Sequence, residues 1–359
     1  MITKPLALVA GLAAAVLAGS VAANPAIAVK PGSGSSLGTA RIFMVNPVQS
    51  SGDQSLVDDK DSPDAVPESE YATVDLRNLD GSGYLSGAWA NVRTNTGAPA
   101  YSPSNEFFFD RDQDQFEQTM GYFWVNEAQE YLQSLGFGGT LLPILKRPYD
   151  VRINQYGLDN SYMWSKHDYI RLGKGGVDDA EDAEVIVHEY GHAIHHDQVE
   201  GFGEGLDAGA IGESFGDYFA VTVGLAAADR YGWPVAADPA CPMDWDAVSY
   251  TAAPHCIRRF DTNRTVETRF NRIHADGQIW SQALWEIRLG YDADPVLTTR
   301  DWDTTLIQSQ FDYAPNTSWQ EAAKATYLVA KARDGQAAAD LVRKKFADCK
   351  IEFTLTRTQ

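Results

Sequence analysis

His188-Glu189-Tyr190-Gly191-His192, with Glu213 and Asp217 downstream, is the stretch on which the reading of this chain turns. On a helix, residues four apart lie on one face, so His188 and His192 can grip one metal ion together. Glu189 stands one step round the same turn, within reach of a proton on a water polarised by that ion. Two imidazoles, a carboxylate base between them and an open coordination position make the arrangement of a zinc hydrolase. An incidental match is disfavoured, because burying two histidines and two carboxylates without partners is costly.

The flanking sequence extends this reading. Asp178-Asp179-Ala180-Glu181 reads as a helix N-terminal cap with a carboxylate three positions on. Val185, Ile186 and Val187 then bury the helix ahead of the histidines. After a Gly-rich break at residues 200–205, a second helix is expected from near Gly212, carrying Glu213 and Asp217 on one face. Glu213 is the natural third ligand, and Asp217 can accept the outer ring N–H of a ligand histidine and fix its tautomer. The longer motif with a third histidine on the same segment needs Gly at 195 and His at 198, where His195 and Gln198 stand. His195 and His196 therefore read as polar residues near the helix end, where positive charge is favourable.

His188 to His192 followed by Ala208-Gly209-Ala210-Ile211-Gly212-Glu213-Ser214-Phe215-Gly216-Asp217 resembles the thermolysin and fungalysin metallopeptidases, the group whose third zinc ligand is Glu. The 21 positions from His192 to Glu213 are close to the thermolysin arrangement. A second match, from His274-Ala275-Asp276-Gly277 through Trp280 to Trp285, is similar to the fungalysin segment that supplies the transition-state histidine. A third runs from Met120 to Asn126 and on to Phe137. Together they span about residues 105–290. The resemblance further implies that Asn160, Ser161 and Tyr162 form the edge segment lining the cleft. It also implies that Arg258, with Arg259 as alternative, is a cleft arginine. Three departures stand out. The oxyanion Tyr of the thermolysin pattern falls on Glu204, and no Tyr occurs between 193 and 212. The paired-calcium carboxylate falls near Gly224. Too little sequence precedes the first matching segment for the long prodomain that relatives carry.

Lys4 precedes an uncharged stretch with an apolar core from Leu6 to Val21, which reads as a secretory signal peptide over residues 1–28, cut between 22 and 28. Gly19, Asn24 and Pro25 interrupt it, so stable membrane insertion is not expected after cleavage. The absence of Cys before Cys241 excludes a lipid-anchored lipoprotein. A net charge of -20 excludes a nucleic-acid partner, which would need clustered Lys and Arg, and suits an exported soluble protein. Calcium is the second cation the composition admits, at Asp53 to Glu70 or Asp178 to Glu184, without EF-hand spacing. Cys241 and Cys256 flank 14 residues and are expected to pair, leaving Cys349 alone.

Tyr71 to Leu76, Leu85 to Thr94 and Tyr162 to Leu172 read as strands. Phe116 to Leu135 reads as a helix whose aromatics are core, stopped at Gly136. Residues 213–228, 277–289, 318–333 and 336–348 read as helices, His274 preceding the second of these as part of a turn. The expected class is α+β with a two-lobed thermolysin-like fold. A β-rich N-terminal lobe would occupy 29–180 and a helical C-terminal lobe 181–359, with the zinc helix between them. The expected function is a secreted, periplasmic or extracellular zinc endopeptidase, a monomer acting on protein or peptide substrates. It would use one catalytic zinc on His188, His192 and Glu213, Glu189 as base and His274 at the oxyanion. The alternatives are an exported, inactive zinc-binding protein and a zinc aminopeptidase. The latter would need a Gly-x-Met-Glu-Asn segment upstream of the zinc helix, which is not present.

Overall fold

The computed structural model describes residues 36–355; the expected signal segment lies outside them. The first sheet is built from β1 (Ser36–Phe43), β2 (Tyr71–Leu79) and the short β4 (Glu106–Phe107), in the order β2-β1-β4. β1 runs antiparallel to β2, with Phe43 opposite Tyr71, and parallel to β4. β1 is followed by a short helix α1 (Pro47–Ser51), which Asn46 caps by accepting from the Gln49 amide. α1 was not expected from the sequence.

The second sheet has the order β3-β5-β7-β6, from β3 (Ala90–Thr94), β5 (Tyr149–Ile153), β6 (Tyr162–Trp164) and β7 (Tyr169–Arg171). The first three strands of that order are parallel, and β6 is an antiparallel edge on β7. The single strand expected over 162–172 is therefore a hairpin, turned at residues 165–168 where Asp168 takes φ 52°. The strand expected from Leu85 is paired continuously only from Ala90, the earlier part forming isolated bridges.

Between the sheets and the rest of the chain runs α2 (Asp114–Ser134). Phe116, Met120, Phe123, Trp124 and Leu132 are all at most 1 % exposed, so its aromatics are core, as their spacing predicts. The chain reverses after α2 at Gly136, with φ 105°.

The C-terminal part is helical: α3 (Ala183–Gln198), α4 (Leu206–Tyr231), α5 (Ile273–Asp292), α6 (Thr299–Ser309), α7 (Trp319–Arg333) and α8 (Gln336–Asp348). α4 is apolar nearly all round and buried along most of its length, as a central helix must be. α3 packs against α2, β6 and β7 on one side and α4 on the other, and so sits between the β-rich and helical parts. The chain is thus α+β with its sheets in the N-terminal region. Among the described residues no helix is long and apolar enough to cross a membrane.

One buried arginine ties the two acidic stretches together. Arg111, fully buried, pairs with Asp58 at 2.5 Å and Glu181 at 2.7 Å, and the Trp245 indole also donates to Glu181. The 53–70 stretch contributes to no three-ligand metal group among the described residues. Cys241 and Cys256 are joined in a disulfide, and Cys349 is free and buried. Closing a loop of that size stabilises by roughly 3 kcal/mol in the chain-entropy account.

Candidate metal centre

α3 starts one turn later than expected. A short 3-10 turn occupies Asp179–Glu181, and the cap is Asp182, whose side chain accepts from the Glu184 amide. The following turns carry His188, Glu189 and His192. α4 begins at Leu206 rather than near Gly212, so Glu213 lies two turns into the helix rather than at its start.

What lets the two helices meet is glycine. A Cβ at Gly191 would stand 2.9 Å from the Gly216 Cα, and one at Gly216 would stand 2.6 Å from His188 Nδ1. Gly277 plays the same part for α5, since a Cβ there would lie 3.2 Å from the Ala210 carbonyl and 3.3 Å from Glu213 Cβ. Helix-interior glycine costs about 1 kcal/mol relative to alanine, which is the sequence signal that a close approach is needed. Sequence reasoning quoted these glycines without assigning them that role. Gly216→Ala is expected to part α3 from α4 or displace His188, lowering stability by roughly 1–3 kcal/mol in chemical denaturation; an unchanged midpoint would show that the crossing is slack.

The crossing brings three side chains to one point. His188 Nε2 and His192 Nε2 are 3.1 Å apart, with Glu213 Oε2 3.5 Å from the first and Glu213 Oε1 3.6 Å from the second. Tetrahedral zinc with bonds of 2.0–2.1 Å separates its donors by about 3.3 Å. Glu213 Oε2 is buried and lacks a hydrogen-bond partner. Two imidazole nitrogens and a carboxylate converging at these distances make a donor set that fits a cation.

The surroundings are strongly polarising. Burial alone would depress the His188 imidazole, but Asp217 and Glu213 override it and hold its pKa up to about 10. His188 Nδ1 faces Asp217 Oδ1 at 2.9 Å. Burial pushes His192 down to about 4. Glu213, which burial would raise, is held well below the carboxylate range by His188, His192 and Arg258. Glu189 is pushed up to about 7 by burial, and its Oε2 is buried without a partner.

His274 arrives from α5. Its helix starts at Ile273, so His274 sits in the first turn rather than in a preceding turn, and Asp276 accepts from the Phe270 and Arg272 amides instead. Its Nε2 lies 3.3 Å from Glu213 Oε2, and the side chain is 65 % exposed to the cleft. That cleft, about 570 Å3, is lined by Asn160, Ser161, Tyr162, Glu189 and His274 as well as the three converging residues. Glu204, standing where the resemblance puts Tyr, lines it too. Tyr162 belongs to β6, which forms the outer edge of its sheet.

Arg258 is drawn inward, Nε and Nη2 each 2.6 Å from Asp217. Arg259 instead pairs at the surface with Asp238 and Asp261. His195 corrects the sequence expectation: it is 2 % exposed and packed between Phe202 and Phe215, ring centroids 4.2 and 4.5 Å away. Burial keeps it neutral, its pKa well below the usual histidine value, so it is a core ring and not a charged helix end. Neither it nor His196 belongs to the converging group.

The site thus sets an HExxH helix, α3, against a glutamate on the next helix, α4. Residues 155–291 match the family model of the fungalysin metallopeptidases (M36), so the segment carrying the site is fungalysin-like. Extracellular metalloproteinase 1 of Arthroderma gypseum is 24% identical over 147 residues, 37% of this chain and 21% of that protein. Extracellular metalloproteinase 5 of Trichophyton rubrum is 23% identical over 138 residues, 35% of this chain and 20% of that protein. The match thus spans about a fifth of the length of these relatives. Among solved structures, the precursor of protealysin, a metalloproteinase from Serratia proteamaculans, aligns with a TM-score of 0.49 at 14% identity, covering 66% of this chain and 78% of that one.

Proposed function

We propose that this chain is an exported zinc-dependent endopeptidase. The observation that carries the reading is Glu189, a buried carboxylate with a free oxygen, standing beside the His188–His192–Glu213 convergence and opening onto the cleft. The names of the relatives and the apolar N-terminal segment support export.

A zinc ion held by His188, His192 and Glu213 would supply Lewis-acid polarisation of the scissile carbonyl and of the attacking water. Glu189 takes the proton of that water and passes it to the leaving amine. His274, exposed to the cleft, donates a hydrogen bond to the oxygen on which negative charge develops. Asp217 fixes His188 by facing its outer ring nitrogen, and Arg258 fixes Asp217 in turn. The outer edge of β6, with Asn160 and Ser161 leading into it, offers backbone groups to an extended peptide. The test is casein cleavage by the metal-loaded chain, with its zinc content measured alongside.

Two roles can be separated by substitution. His274→Ala is expected to keep its zinc and lower kcat by roughly 10²–10³-fold with KM little changed, as for loss of one oxyanion donor. Loss of zinc would make His274 a ligand, and full activity would remove it from the chemistry. Asp217→Ala is expected to weaken zinc affinity by about 10- to 100-fold, read by competition with a chelating dye. An unchanged affinity would leave Asp217 only a packing role.

A further inference from the structure

Beyond the metal cluster the cleft continues into a smaller cavity of about 180 Å3. His188, Glu189, Glu213 and His274 border it, so whatever fills it lies next to the reacting bond in the reading above. It also reaches an acidic group: Asp159, Asp179 and Asp246 each offer a carboxylate oxygen within 4.8 Å of the other two. Sequence reasoning did not find this triad, because its members come from three separate segments.

The carboxylates are not satisfied by the protein. Asp179 and Asp246 are 2% and 4% exposed. The Ser161 hydroxyl donates to Asp179 Oδ2 and the Tyr250 hydroxyl to Asp246 Oδ2, but the Oδ1 of each is buried and meets no donor among the described residues. Arg258, which lines the cavity, is committed to Asp217, and Lys174 to Asp114 and Asp178. Burial raises Asp179 to about 7 and lifts Asp246 as well, and the neighbouring carboxylates push both the same way. Asp159 is exposed, with its backbone lying close against Gly175. A Cβ at Gly175 would stand 2.4 Å from its amide nitrogen, so only glycine lets its backbone lie on the 173–176 turn.

Val185, Met243 and Ile257 line the same cavity, giving it an aliphatic wall beside the acidic group. A side chain with an apolar stem and a cationic tip matches that sequence of surfaces. A bare divalent cation matches it less well. Calcium takes six to eight oxygens, whereas two of these three carboxylates have one oxygen already engaged and the cavity opens to the cleft.

We propose that this cavity selects a basic residue, lysine or arginine, directly flanking the cleaved bond. The proposal rests on the peptidase reading and names its substrate class. It is tested first by binding, in the full chain carrying Glu189→Gln and loaded with zinc. A hexapeptide with one central lysine is compared by calorimetry with the same peptide carrying norleucine. The lysine peptide is expected to bind at least about 10-fold more tightly, the usual scale for a desolvated charge pair. The advantage should disappear in Asp246→Asn and fall in Asp159→Asn, which is exposed and safe for folding. The second arm is cleavage of denatured casein by the unsubstituted chain, with products sequenced by mass spectrometry. Lysine and arginine are expected to be enriched at one of the two positions flanking the cut. Equal affinity for the two peptides overturns the proposal, and so does a calcium ion bound at the triad and lost in Asp246→Asn with no lysine advantage. A lysine advantage in a chain that cleaves nothing sustains the pocket and removes the peptidase reading instead.

Discussion

Glu189→Gln is expected to lower hydrolysis by about two to four orders of magnitude while leaving the fold and the proposed metal site intact. The substitution is isosteric, but an amide cannot accept the proton that attack by water requires. Removing a positioned general base lowers the rate by about 10²- to 10⁴-fold, and the loss should fall on kcat. The convergence of His188, His192 and Glu213 does not depend on Glu189, so zinc content should stay at the unsubstituted level. Stability gives an independent check. A buried carboxylate with an unpartnered oxygen is an unfavourable element of the fold, and replacing it by a neutral group should leave the denaturation midpoint equal or higher. Near-full activity in this variant would mean that some other group takes the proton. Loss of both zinc and activity would mean that Glu189 is structural.

The second large effect is expected from the ligands themselves. Elemental analysis should find one zinc per chain, and His192→Ala or Glu213→Ala should lose it together with activity. A chelator should inactivate the unsubstituted chain, and added zinc should restore it. Binding to the native state alone also stabilises that state, by about 2.7 kcal/mol when free zinc is 100 times its Kd. The thermal midpoint of the unsubstituted chain should therefore fall on chelation, while the Glu213→Ala midpoint should not respond. Active protein free of transition metal would reject the metal reading altogether.

The site was legible in the sequence to the extent that its chemistry is local. His188, Glu189 and His192 are one turn apart, and helical periodicity puts them on adjoining faces whatever surrounds them. Glu213 and Asp217 share a face for the same reason. The core helix α2 was legible because Phe116, Met120, Phe123 and Leu132 recur at helical spacing, and burial is the only favourable use of that surface. Boundaries were less so. The cap on α3 moved to Asp182 because several acidic residues in a row all have capping chemistry, and only packing chooses among them. The hairpin at 162–171 looked like one strand because its turn contains none of the usual Gly-Asn or Asp-Gly pairs.

Tertiary structure decided what depends on residues remote in sequence. His195 carries the same polar signal as His196, but the arrival of Phe202 and Phe215 makes it a core ring. The triad of Asp159, Asp179 and Asp246 exists only because three segments converge, which no spacing rule encodes. How closely α3, α4 and α5 approach was set by Gly191, Gly216 and Gly277, where the absent side chains matter only once the helices cross. The sequence by itself determined the candidate ligand types, their pairing on two helices and the α+β class, since these follow from periodicity and donor chemistry. The distances that turn those ligands into a site, and the acidic cavity beside them, were decided by helix crossing and burial, because both depend on contacts between segments far apart along the chain.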